Sequence, residues 1–331
     1  MHERRISVQR GNPPLQVRDG LTASRVRVPE SHEGISAFDF VWHLVATQRH
    51  RHPEDNEAAV AQRFADGLVV IAPKYRYARP EEALRAGEDV WFYRTPAPEK
   101  KAPFACKIIH EDEDIVVVDK PPFMATMPRG MHITETVTVQ MRRALNNGEL
   151  TPAHRLDRNT AGVLLMTKRK ELRGRYQDLF AKRGVKKTYE ALAPIGDTTP
   201  GTWWENRIEK VAGQVQGHIV AGSVNARTFV QAVQPLDCEQ QAIAEAMHGE
   251  LPPLARYVLQ PYTGKTHQLR LHMWHAGHAI VGDPAYPKVI AHGSESFDQP
   301  MHLLASTLRF EDPISGAQRV FHSSREILRL T

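Results

Sequence analysis

Apolar positions recur at helical spacing in two early segments, Ile35 to Arg49 (ISAFDFVWHLVATQR) and Glu57 to Ala65, which predicts two helices. The run Leu68-Val69-Val70-Ile71 and the stretch Asp89-Val90-Trp91-Phe92-Tyr93 predict short strands, so residues 31–95 read as a small α+β module. Thr95 to Phe104 (TPAPEKKAPF) interrupts the pattern with three prolines, and residues 96–104 are expected to form an extended linker. Residues 1–30 have no clear period and contain Gly11, Pro13 and Pro14, which predicts an irregular arm.

Residues 105–331 read as a second, larger domain. Ile115 to Val118 is a β-branched run that Pro121 and Pro122 must stop. Thr136 to Leu145 predicts a helix ending near Asn146-Asn147-Gly148, and Gly162-Val163-Leu164-Leu165-Met166 predicts a buried strand. In Lys170 to Arg183, Leu172, Tyr176, Leu179 and Phe180 share one face of a helix, with Gly184 as its cap. Thr188 to Ala193 reads as a strand. His267 to Ala276 reads as a helix with Leu269, Met273 and Ala276 on one side, and Asp237 to Pro253 as a helical insertion.

Composition narrows the class. The chain has 331 residues, 41% apolar and 24% charged, which suits two folded domains and excludes a disordered polymer. There is no apolar run of membrane-spanning length, and Met1 to Arg10 lacks the hydrophobic core of a signal peptide, so a cytoplasmic protein is expected. Cys106 and Cys238 are the only cysteines and form no CxxC, so neither a disulfide framework nor a cysteine zinc site is supported. His272, His275 and His278 spread around a helix with no carboxylate to complete a set, so no metal is expected. Nucleotide-cofactor fingerprints (GxGxxG, GxxxxGK[ST]) are absent, as are GxSxG and HExxH. No heptad or apolar stripe argues for assembly, so a monomer is the default.

Charge is unevenly placed. The formal net charge is +5, yet His154 to Glu190 alone holds eleven Lys or Arg against four acids, more than the whole surplus. Such a segment is suited to a nucleic-acid surface; the competing reading is a solvated helix face. Within it, His154-Arg155-Leu156-Asp157-Arg158 sets a carboxylate between two arginines on the loop leading into the GVLLM strand. A carboxylate held ionised by neighbouring cations can act as a nucleophile or a base; the competing reading is a helix cap or a local ion pair. The second cluster, Gly264-Lys265-Thr266-His267-Gln268-Leu269-Arg270, mixes donors with an apolar residue, and Arg270 there can pair with a buried acid while Leu269 packs near a ligand.

Together these segments resemble the RluA-type RNA pseudouridine synthases. The resemblance rests on HRLDRNTAGVLLM (His154 to Met166), KKTYEALA (Lys186 to Ala193) and GKTHQLRLHMWHAGHAIVGDPAYP (Gly264 to Pro287). IIHEDEDIVVVDKPPFMATMP and HLLASTLRFEDPISG flank them in family order, over about residues 105 to 320. The LVVIAPKYR turn and RAGEDVWFYR ending of residues 31–95 resemble a degenerate S4-type RNA-binding domain.

The resemblance implies an α+β catalytic domain with a mixed, largely antiparallel sheet. It also implies a cofactor-free enzyme that detaches uracil from ribose in structured RNA, turns it and reattaches it through C5, with ribosomal RNA favoured over transfer RNA. Carried onto this chain, Asp157 is the essential carboxylate, Tyr189 the ring against the base, and Arg270 the partner of Asp157. The target uridine is extruded with Arg155 stacking into the gap. His154 is expected mainly to orient the Asp157 loop, and with Arg158, Lys186 and Lys187, and Lys265, Thr266, His267, Gln268 and Leu269 it completes the expected RNA-binding set. The sequence departs from the family at Pro122-Phe123-Met124, where small residues are usual, and at Met127, often a histidine. Two rivals remain: an RNA-binding or ribosome-assembly factor without turnover, which loss of any of the three site residues would favour, and a glycosylase, which would release free uracil.

Overall fold

The computed structural model describes residues 13–290 and 295–331. The chain divides into two compact units, Met1–Lys101 with Pro128–Glu149, and Ala102–Met127 with Leu150–Thr331. Residues 128–149, read from sequence as part of the catalytic domain, therefore belong to the first unit. The ties are long-range and invisible to local pattern: Glu99 accepts hydrogen bonds from the backbone N–H groups of Ile133 (2.9 Å) and Thr134 (2.6 Å), so the expected linker is anchored.

The first unit contains β1 (Ser24–Arg27), α1 (Ala37–Ala46), α2 (Glu57–Ala65), β2 (Val69–Ala72), β3 (Arg76–Tyr77), β4 (Asp89–Phe92) and α3 (Val137–Ala144). The four strands form an antiparallel sheet in the order β1-β4-β2-β3. Phe40, Val41 and Val45 of α1 and Val60 and Phe64 of α2 share a core with Val69, Ile71, Val90 and Phe92 of the sheet. Ser36 and Asn56 cap the two helices by accepting the N–H groups of Asp39 and Ala59. The irregular arm needs correction from residue 13 on, and residues 1–12 lie outside the described residues. Ser24–Arg27 is an edge strand, its alternation carried by one inward valine between Arg25 and Arg27, both of which pair with Asp89.

The second unit contains β5 (Lys107–Glu111), β6 (Ile115–Lys120), β7 (Thr151–Pro152), β8 (Ala161–Thr167), α4 (Arg173–Ala181), β9 (Val185–Pro194), β10 (Trp203–Glu209), β11 (His218–Val220), β12 (Ala226–Pro235), α5 (Cys238–His248), β13 (Leu254–Pro261), α6 (Gln268–His275), β14 (Leu303–Glu311) and β15 (Gln318–His322). Its eleven-stranded sheet runs β11-β10-β12-β13-β9-β14-β8-β6-β5, with β15 on β14 and β7 on β8. The β8–β14 pair is parallel and every other pair is antiparallel. Gly162 makes the parallel contact possible. Its φ is +112°, and a Cβ there would lie 2.3 Å from the carbonyl oxygen of Ala305.

A fork in this sheet creates the site. The β9–β13 ladder ends at the pair Tyr189 and Leu259. Beyond it, among the described residues, β9 runs back to Val185 paired with β14 alone, and β13 continues to Pro261 paired with β12 alone. The two arms part, leaving a cleft between them.

Three local expectations change. The basic segment is not one helix: a 3-10 turn at Lys170–Leu172 precedes α4, and Lys186 and Lys187 lie on β9. At the end of α4 the left-handed residue is Arg183 (φ +60°), while Gly184 N–H bonds to Leu179 oxygen. The helix α6 is buried on all sides from Gln268 to Met273, which is why no single apolar face describes it.

Candidate active site

The cleft has a volume of about 1410 Å³. That exceeds the few hundred to about 1,000 Å³ of small-molecule pockets and suits a segment of a macromolecule. Arg155, Arg183, Lys186, Lys187, Arg227, Lys265, Arg270 and Arg309 line it, and Asp157 is the one carboxylate among the described lining residues.

Asp157 sits on the loop between β7 and β8, and the residues on either side of it are pinned. Thr126 Oγ1 donates to Leu156 oxygen (2.7 Å) and accepts from Leu156 N–H (3.1 Å). On the other side, the fully buried Lys120 donates to the carbonyls of Arg158 (3.0 Å), Met124 (2.8 Å) and Pro121 (2.9 Å). Burial pulls the Lys120 pKa down to about 7. The carboxylate is thus presented by a backbone that cannot drift.

Arg270 approaches from the first turn of α6. Its Nε and Nη2 donate to the two oxygens of Asp283 (2.7 and 2.6 Å), and Nη1 faces Asp157 Oδ2 at 3.6 Å. Asp283, the buried acid that the residue pattern around Arg270 implied, also accepts the N–H groups of Ala285 and Tyr286. Burial works against the guanidinium, but Asp283 and then Asp157 hold its pKa above the ordinary value. Arg270 is therefore a bridge, with Asp283 as its main partner and Asp157 as the second.

His267 precedes α6 in the left-handed conformation (φ +58°), a strained setting for a side chain with a Cβ. Its Nδ1 is 3.0 Å from the Tyr286 hydroxyl, which accepts Gly217 N–H at 2.7 Å. The other ring nitrogen, Nε2, faces Asp157 Oδ2 at 3.8 Å. Burial pushes the His267 pKa down to about 4 against the pull of Asp157.

Tyr189, at the branch point of the fork, packs with Leu259 and Leu269. Burial and then the Asp157 charge push its pKa up, so the phenol keeps its proton. Lys265 and Thr266 are exposed at the rim with Arg155 and Lys186. Lys187 is half-buried, and burial lowers its pKa.

Three expected RNA contacts are otherwise engaged. Arg158 turns away from the cleft to Glu295 (2.6 Å) and lies over the Phe123 ring (5.8 Å). Gln268 spends its amide on the protein: Oε1 accepts from Thr263 Oγ1 and Lys265 N–H, and Nε2 donates to Arg227 oxygen and Thr228 Oγ1. It staples the 263–265 loop to β12. His154 stacks on Phe180 (ring centroids 4.4 Å apart) and accepts Leu165 N–H (3.2 Å), with its pKa pushed to about 3 by burial. It fixes the loop from beneath. The departure at Phe123 has a packing reason as well, since its ring joins those of Phe104 and Phe297.

Sequence reasoning missed Asp283, Tyr286 and Lys120. All lie inside quoted stretches, but nothing local marks them as buried partners of the cleft residues.

The family model for RNA pseudouridylate synthase matches residues 114–275. The tRNA pseudouridine synthase C of Vibrio cholerae is 31% identical over 215 residues, 62% of this chain and 86% of that protein. The ribosomal large subunit pseudouridine synthase D of Escherichia coli K12 is 27% identical over 290 residues, 82% of this chain and 83% of that protein. Among solved structures, human RNA pseudouridylate synthase domain containing 1 has 23% identity and a TM-score of 0.49 over 69% of this chain and 86% of its own. The family match and these relatives show that the chain belongs to the RluA-type RNA pseudouridine synthases.

Proposed function

We propose that the protein isomerises uridine to pseudouridine in structured RNA, ribosomal RNA foremost, with Asp157 as nucleophile on a base flipped into the cleft. The bond from N1 to C1′ breaks and a bond from C5 to C1′ forms; C5 loses a hydrogen and N1 gains one. The atoms balance within the substrate and water, so no cofactor enters.

The observation that carries this reading is the setting of Asp157, the one carboxylate among the described residues of a large cationic cleft, within reach of Arg270. Arg270, clamped by Asp283, sets a fixed positive charge 3.6 Å from the carboxylate and orients it. Tyr189, packed with Leu259 and Leu269 and protonated, stacks on uracil and can exchange a proton with it. Leu269 supplies the apolar contact to the base. Arg155, exposed two residues before Asp157, fills the stack that the uridine leaves. Lys265, Thr266, Lys186 and Lys187 bind phosphates and set register rather than sequence.

The preference for ribosomal RNA rests on the family resemblance; the relatives include both a ribosomal RNA enzyme, 27% identical, and a transfer RNA enzyme, 31% identical. We read residues 31–95 as an S4-like RNA-binding module, supported by the β2–β3 hairpin and β4 at the places where the resemblance needs them.

The test is release of tritium from RNA labelled at uridine C5. Release from ribosomal RNA and not from transfer RNA is expected. Bound RNA without release overturns turnover in favour of an RNA-binding factor, and free uracil in place of tritium favours a glycosylase.

A further inference from the structure

The doublet Trp203-Trp204 opens β10, and its two rings part. Trp204 turns inward, packs with the core around Leu269 and Met273, and meets His272 edge-on. Trp203 turns outward and is 40% exposed. It stands opposite Phe229 of β12 in the ladder, with ring centroids 5.1 Å apart. Tyr262, just past the end of β13 and 48% exposed, brings a third ring to 4.8 Å from Trp203. The Arg227 guanidinium lies over the Trp203 ring at 4.8 Å, steadied by an ion pair with Glu205.

Three neighbouring strands thus present an open aromatic group with a cation on it, and water is a poor neighbour for such ring faces. Two of its members, Arg227 and Tyr262, also line the cleft that holds Asp157. The group is a continuation of the cleft along the β12–β13 arm of the fork.

We propose that Trp203, Phe229, Tyr262 and Arg227 form a stacking site for unpaired bases of the RNA beside the uridine being modified; this rests on the reading of the cleft as an RNA site. Every base has a ring face, so rings on adjacent strands hold splayed-out nucleotides whatever their identity, and arginine adds a cation to ring and phosphate alike. A protein partner fits less well. A stable protein interface needs about 800 Å² from each side, more than three partly exposed rings supply, and the cations leading away from this group favour a polyanion.

The test uses the full-length protein, a twelve-nucleotide single-stranded oligouridylate and an RNA duplex of equal length. Trp203→Ala and Tyr262→Ala are each expected to weaken single-strand binding about fivefold to a hundredfold, the range of one lost base stack. Trp203→Phe is expected to restore most of it, and the single strand to quench tryptophan fluorescence less in that variant. Duplex binding is expected to stay unchanged in all three, because paired bases cannot reach the rings. Equal loss for duplex and single strand, or no loss for either, overturns the stacking site while leaving the cleft reading intact. Failure of the unsubstituted protein to bind either RNA overturns both.

Discussion

Arg270 holds Asp283 with two of its nitrogens and turns the third toward Asp157, so one buried side chain joins a structural carboxylate to a half-buried one in the cleft. The second carboxylate makes the first contact reproducible. An arginine paired only with Asp157 would be free to swing with it.

Removing Asp283 should therefore be felt twice. Asp283→Ala leaves a cation at 5% side-chain exposure with only its longer 3.6 Å approach to Asp157, which by analogy with other broken buried pairs costs roughly 3–5 kcal/mol. Urea unfolding should show that loss, and Asp283→Glu should recover part of it. Among variants still folded, kcat should fall more than KM rises. Unchanged stability in Asp283→Ala would mean that the clamp is not what holds Arg270.

Acid should weaken the fold through neutral histidines. Burial lowers His154 to about 3 and His267, His272 and His302 to about 4, against about 6.5 in an unfolded chain. Above pH 6.5 both states carry them neutral, and they contribute no pH dependence. Below it the unfolded chain binds protons that the folded chain refuses. Stability should fall as pH drops from 6.5 toward 4, by up to about 1.4 kcal/mol per pH unit for each histidine. Thermal unfolding between pH 8 and pH 4 checks this, and a flat Tm from 6.5 to 4.5 would contradict it.

The cationic cleft predicts a salt signature. Each phosphate contact contributes a slope of about −0.7 to −0.9 to the logarithm of RNA affinity against the logarithm of salt concentration. Lys265→Ala should flatten the slope by about one such contact without changing base preference. A slope that Lys265→Ala and Lys186→Ala both leave untouched would remove these rim residues from the RNA path.

Much of the site was legible because its chemistry lies in short ordered segments. HRLDR, KKTYEALA and GKTHQLR name Asp157, Tyr189 and Arg270, and folding brings all three to one cleft. The helix over Glu57–Ala65 was legible to the residue from its apolar spacing. What stayed hidden depends on tertiary contacts. Asp283 looks like an ordinary turn residue before Pro284 until Arg270 reaches it. Gln268 looks like an RNA donor until four protein groups use its amide. Residues 128–149 carry no compositional break, yet the backbone hydrogen bonds they donate to Glu99, 34 to 36 positions away in sequence, tie them to the first unit. Arg158 could not be separated from Arg155 by sequence, because Glu295, 137 positions on, decides where it points.

The central claim is that Asp157 is the nucleophile, and Asp157→Asn tests it most directly, since the amide keeps the shape and removes the charge. In the native host, pseudouridine would be mapped across ribosomal and transfer RNA in three strains: unaltered, deleted for this gene, and carrying Asp157→Asn. The expected result is a defined set of ribosomal sites lost in both altered strains, with the variant protein still folded and RNA-bound. Sites that vanish on deletion but persist with Asp157→Asn would contradict the assignment.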